Sequence, residues 1–299
     1  MRIKDTKANK IFMLIALIFI MILVFSPKLA KRNTSEQIIK YEKSLTVESI
    51  SANINIWVDD SLKEAKVVYN TKENGELDIT SKSNGETIIE EKVKNKLINI
   101  KFDNETPTIS VYLPTKEIGD LNIKSISGRI ETFSDLRGKD IYFNTTSGDI
   151  NLLSIAAEDK LEIKTTSSDI SIDNIEAKKV EFITKSGSID VDNIESDNLS
   201  LSSISGDIDI SSIQSDILKS SSISSDVEFD NINVNDSISI TSVSGEIDLN
   251  LLDKEYKYKI NTTTGDISIN NKEYEKSYKT DKGTPLDVTS VSGDISITL

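Results

Sequence analysis

The phrase SSISGDIDI at Ser202 to Ile210 returns down the chain as TSVSGEIDL, NTTTGDISI and TSVSGDISI, and its spacing narrows the possible folds more than any other feature. With the glycine of each phrase as a register mark, the marks are Gly128, Gly148, Ser168, Gly187, Gly206, Ser225, Gly245, Gly265 and Gly293, at intervals of 20, 20, 19, 19, 19, 20, 20 and 28 residues. So constant a period is the signature of stacked coils, one supersecondary unit per repeat, with one insertion before the last. Apolar residues fall seven and five before the mark (Leu161 and Ile163, Leu199 and Leu201) and two and four after it (Ile189 and Val191, Ile208 and Ile210). Spacing by twos means strands. A meander of antiparallel hairpins also repeats at this length, but the same residue at the same offset in every unit is what vertical stacking produces, each side chain lying on its own kind. The expected fold is all-β: a single-chain parallel β-solenoid of 19–20 residues per coil.

The turn chemistry follows from the same offsets. Glycine at the mark is expected to supply a positive φ, and the aspartate after it to cap the turn and face water. Ser or Thr one and three before the mark, as Ser203 and Ser205 or Thr145 and Ser147, share the parity of the apolar pair and are expected to point inward. There, hydroxyls stacked across coils would satisfy one another. Residues 45–120 follow the rule only at Leu45, Val47, Ser49, Ser51, Ala52, Ile54 and Ile56. The rest reads as irregular strands capping the first edge of the regular repeats at 121–299, which carry a charged insertion at 270–285.

The chain has no histidine and no cysteine, which removes the commonest general base, thiolate chemistry, disulfides and the usual zinc ligands together. A net charge of -14, with lysines interleaved among acids, argues against nucleic acid as a partner. At the front, residues 11–25 (IFMLIALIFIMILVF) are apolar and uncharged, and the basic stretch 1–10 precedes them. Fifteen helical residues reach about 22 Å, short of the hydrocarbon core, so a cleaved signal competes with a transmembrane anchor. Pro27 and Lys28 stand where cleavage would need small residues, which favours the anchor. The excess of positive charge before the segment keeps the N-terminus cytoplasmic and puts the body outside the cell membrane. Residues 26–44 read as a polar stalk.

An N-terminal membrane segment, a strand-rich head ending in ISVYLP (Ile109 to Pro114), then LNIKSISGRIE and repeated SGDI units resemble the bacterial DUF4097 family of adhesin-like proteins. The resemblance extends over nearly everything after residue 44. It implies a β-solenoid presented outside the cytoplasmic membrane, with some relatives tied to cell-envelope stress, and it carries no catalytic residues and no cofactor.

The expected function is therefore a non-catalytic interaction or structural module with a cell-envelope protein or polymer as partner. Two alternatives rest on paired acids two apart: Asp207 with Asp209, Asp226 with Glu228, and Glu246 with Asp248. A polysaccharide-active enzyme needs two carboxyls in unlike environments, and acids repeated in every coil give no such singular pair. Divalent-cation binding would relieve repulsion between stacked carboxylates, although neither an EF-hand loop nor a GGxGxD repeat occurs. Trp57 and the tyrosines are scattered, giving little support to an aromatic platform. Two before the mark, where other coils carry Thr146, Thr166, Lys185 or Thr263, three consecutive coils have Ile204, Ile223 and Val243. Outward parity makes these three the candidate interaction surface.

Overall fold

The computed structural model describes residues 33–40, 44–71, 76–92, 106–114 and 117–299. The basic N-terminus, the apolar segment 11–25 and most of the expected stalk lie outside the described residues. Asn33–Ile39, within that expected stalk, is instead a strand, antiparallel to Ala65–Thr71. Its alternating Ser35, Gln37 and Ile39 explain why it read as polar linker: only Ile39 is buried. Every regular element among the described residues is a strand, and no helix there is long and apolar enough to cross a membrane.

From Leu121 onward the chain winds into a β-solenoid-like stack of parallel strands. Leu161 pairs with Val180, Val180 with Leu199, Leu199 with Leu218 and Leu218 with Ile238, so each apolar side chain sits on its counterpart one coil away. The core is one continuous apolar column system with Phe143, Phe182 and Phe229 fully buried inside it.

Both ends depart from simple winding. The coil Ser44–Val58 packs on the Gly128 coil, Leu45 on Leu121 and Ile54 on Ile130. Its other side carries the parallel strands Glu86–Lys92 and Thr108–Leu113, closed in turn by antiparallel Glu76–Ser81, Ala65–Thr71 and Asn33–Ile39. At the far end, Thr284–Ser290 lies between Val227–Ser244 and Tyr256–Thr262, and Ile295–Thr298 lies between Ile247–Leu251 and Ile267–Ile269. The spatial order of marks is therefore Gly245, Gly293, Gly265, with the last coil in sequence filling the penultimate layer. Short antiparallel strands Lys272–Tyr274 and Ser277–Lys279 cover the final edge, as an open stack requires.

The turns correct two expectations. Among the glycine marks only Gly245 has a positive φ, +130°. What excludes a side chain is close approach: a Cβ on Gly206 would lie 2.0 Å from the carbonyl oxygen of Gly187, and one on Gly148 2.0 Å from that of Gly128. The residue three before the mark is buried, but the residue one before it, Ser147 or Ser205, is exposed, because the chain turns between them and parity no longer holds. The inward hydroxyl staples its own turn in most coils, whereas those of Ser222, Ser242 and Ser290 are buried without a partner. Ser203 Oγ accepts the Gly206 N–H at 3.0 Å and donates to the Gly206 carbonyl at 2.7 Å, and Thr184 does the same at Gly187. Contacts between hydroxyls of different coils also occur, Thr165 to Thr184 at 3.0 Å and Ser225 to Ser203 at 2.9 Å.

Candidate functional site

The outer surface is organised as columns running along the stack axis, and the sequence-derived candidates fall on three of them. Asp207, Asp226 and Glu246 follow the mark in successive coils. Asp207 Oδ1 accepts the backbone N–H of Asp226 at 3.1 Å, and Asp226 Oδ1 that of Glu246 at 2.8 Å. Asp169 and Asp294 do the same for Ser188 and Asp266, and Asn53 for Arg129. This aspartate thus fastens the next coil, in addition to meeting water. The second column, Asp209, Glu228 and Asp248, runs in register beside it, with Asp190 ahead. Partial burial raises the Asp209 carboxyl above its usual range, with repulsion from Asp190 and Asp230 adding to it. Among the described residues no group of three or more acids converges as metal ligands do.

The third column is aliphatic. Ile204, Ile223 and Val243 are 45%, 48% and 47% exposed, so their outward parity holds. The inverted order of the last coils places Val291, 48% exposed, next to Val243, where Ser292 N–H reaches the Val243 carbonyl at 3.0 Å. Four aliphatic side chains therefore form an unbroken exposed strip about 14 Å long. In sequence Val291 stands beside Thr263 in repeat order, which hid its membership.

A shallow polar groove of about 330 Å³ crosses the return strands. Arg137, Asn174, Glu176, Asn193, Glu195 and Gln214 line it, with Asn193 Nδ2 donating to Asn174 Oδ1 at 3.1 Å. Glu176 and Glu195 are register partners on neighbouring coils, and Asp135 lines the groove beside Arg137.

Aromatic residues that are distant in sequence also meet. Trp57 stacks on Phe133 with centroids 4.1 Å apart and on Tyr112 at 6.2 Å. The strands carrying them are neighbours because the Ser44–Val58 coil lies between the Gly128 coil on one side and Thr108–Leu113 on the other.

These features define a class: an all-β, solenoid-like stack whose surface is a set of shallow axial columns. The model of the Toastrack DUF4097 family matches residues 39–217 and 157–298, and the chain belongs to that family. No curated protein matches it. Among solved structures, a "putative lipid binding protein" from Parabacteroides distasonis aligns at 17% identity and TM-score 0.50, over 89% of this chain and 96% of its own. A "putative adhesin" from Bacteroides fragilis aligns at 12% identity and TM-score 0.48, over 90% and 97%. The first shares the fold with this chain.

Proposed function

We propose that the chain is a membrane-tethered, extracytoplasmic module that works by binding a cell-envelope partner rather than by catalysis. The observation that carries this reading is the strip Ile204, Ile223, Val243 and Val291, which exposes four aligned aliphatics at a position held by Ile50 and Ile126 in the first two coils and by Thr146, Thr166, Lys185 and Thr263 in the others. Single exposed aliphatics are ordinary, but an unbroken row of four is a contact surface. The tether is residues 11–25, and the basic stretch before them keeps the stack on the outer side.

Replacing all four by threonine tests the reading, since threonine already serves at the same position in other coils. Melting is expected to move by no more than a few degrees. Cross-linking in intact cells is expected to lose the partner seen with the parent chain. A variant that retains every cross-linked partner would remove the strip from the interface. The polar groove supports a second reading, retention of an envelope polysaccharide along Asn174, Asn193 and Gln214. Labelled polymer retained intact on the protein fits that reading, while released fragments would revive the enzyme alternative.

A further inference from the structure

The outward residues of the N-terminal strands form a second axial row: Ile38, Lys66, Tyr112, Trp57, Phe133 and Leu153. Backbone register aligns Ile38 with Lys66, Lys66 with Tyr112 and Tyr112 with Trp57. Phe133 N–H bonds to the Ile56 carbonyl at 2.9 Å, and Leu153 N–H to Thr132 Oγ1 at 2.9 Å, which extends the row by two coils. It spans about 24 Å along the stack. Ile38 is 69% exposed, and Phe133 and Leu153 are 40% exposed each.

The geometry of the rings narrows what can occupy this row. Trp57 has Phe133 on one face, at an interplanar angle of 7°, and Tyr112 on the other, at 16°. Lys66 Nζ covers the remaining face of Tyr112, 5.0 Å from its centroid. Both faces of Trp57 and of Tyr112 are thereby covered. A sugar needs an open ring face to stack on, so Trp57 and Tyr112 are unsuited to carbohydrate. The row has instead the composition of a membrane–water interface: partly exposed Trp57 and Tyr112, with the Trp57 Nε1 edge turned inward, a lysine whose stem lies along apolar surface, and exposed apolar tips beside them.

Chain length points to the same surface. Ile38 lies on the first described strand, and residues 26–32 are all that separate that strand from the apolar segment ending at Phe25. Fully extended, they reach at most about 25 Å. We propose that this row is a membrane-contact strip that lays the N-terminal coils along the outer face of the bilayer, an inference that rests on the tethered reading above. The tether makes the contact intramolecular, so a modest apolar area suffices. Glu36, Glu64 and Glu131 lie close to the row and pair with Lys66, Lys40 and Arg129 in turn, so no excess of positive charge draws it to anionic lipid.

Trp57 is the one tryptophan of the chain, which makes its emission a direct report on the row. The full chain is reconstituted in phosphatidylcholine vesicles, floated on a density gradient, and compared in vesicles whose acyl chains are brominated near the headgroup. Flotation with at least twofold quenching of Trp57 is the expected result, little altered by adding anionic phosphatidylglycerol. The double variant Ile38→Asp, Leu153→Asp changes exposed positions, and is expected to float and melt like the parent while losing at least half of the quenching. Flotation without quenching, or quenching that the double variant leaves intact, overturns the proposal and leaves the tether standing. Failure to float overturns the tether and this proposal with it.

Discussion

Glu91 is buried, and its carboxylate takes the place of a missing coil. Within the stack, the two residues before each mark donate their N–H groups to carbonyls of the preceding coil, as Thr146 does to Ser125 and Ser147 to Ile126. The Ser44–Val58 coil has no such turn beyond it. Glu91 Oε2 accepts from Ile50, Ser51 and Ala52 N–H at 2.8, 2.8 and 3.2 Å and from Ser49 Oγ at 2.9 Å, and Tyr69 donates to Oε1 at 3.1 Å. Consecutive N–H groups in this arrangement form an anion-binding nest. Burial pushes the carboxyl up, but the Ser51, Ala52 and Ile50 N–H groups and the Ser49 hydroxyl outweigh it and hold Glu91 below its usual range. Burial beside the Glu91 charge raises the Tyr69 hydroxyl to about 12. Glu91→Leu leaves the Ile50, Ser51 and Ala52 N–H groups without this acceptor, the last of them buried, and is expected to cost about 3 kcal/mol, and Glu91→Gln about half of that, by thermal or urea melts. Because the folded value is depressed, this stabilisation is complete above the ordinary carboxylate range and is lost as pH falls through the lowered value. Asp209 has the opposite sign: its raised value means that protonation favours the fold. Asp209→Asn is expected to raise stability at pH 7 by less than about 1 kcal/mol, since water screens an exposed group, and the gain should vanish in acid.

At the level of the coil, alternation was readable because burial on one face leaves a period of two, and Ile208 and Ile210 are fully buried as their spacing requires. Parity could not be carried through the turn. The sequence shows that a small residue is wanted at the mark, but close approach and positive φ select the same residue type, and only the 2.0 Å clash at Gly206 separates them. The ends were harder to read, because their partners come from distant segments. Lys276, in the charged insertion, reaches the carbonyls of Thr264 (3.3 Å) and Gly265, so a cation closes the carbonyl end of the turn column as Glu91 closes the N–H end. Neither residue differs in type from its charged neighbours in sequence. The coil rule itself makes a sharp comparison. Ile208→Asp puts an unpaired carboxylate into the apolar column between Ile189 and Val227 and is expected to cost several kcal/mol. Asp207→Ser removes one exposed acceptor from Asp226 N–H and is expected to cost about 1 kcal/mol or less. Melts that rank the two the other way would mean that the inward and outward assignments are reversed.

For the whole molecule, repetition both reveals the stack and conceals its order. Coils present similar residues at equivalent offsets, so the repeat pattern alone does not say whether the Gly293 coil stacks on the Gly245 or the Gly265 coil. The structure places it between them, and the insertion 270–285 is what lets the chain pass outward over the Gly265 coil and return. The absence of cysteine from the chain gives a clean test of this order, because an engineered pair supplies the only thiols. Neighbouring parallel strands place register partners about 4.8 Å apart, within disulfide range, whereas residues two layers apart are separated by about 10 Å and cannot be bridged without moving the backbone. Val243 and Val291 are exposed neighbours, since Ser242 pairs with Ser290 and Ser292 N–H bonds to the Val243 carbonyl. Thr263 lies one layer further on, since Thr262 also pairs with Ser290. Mild oxidation is expected to bridge Val243→Cys with Val291→Cys, and Val291→Cys with Thr263→Cys, as read by a mobility shift that reductant reverses. Val243→Cys with Thr263→Cys is expected to stay reduced. Stacking in simple chain order would bridge this last pair and leave Val243→Cys with Val291→Cys open, so the three double variants separate the two arrangements.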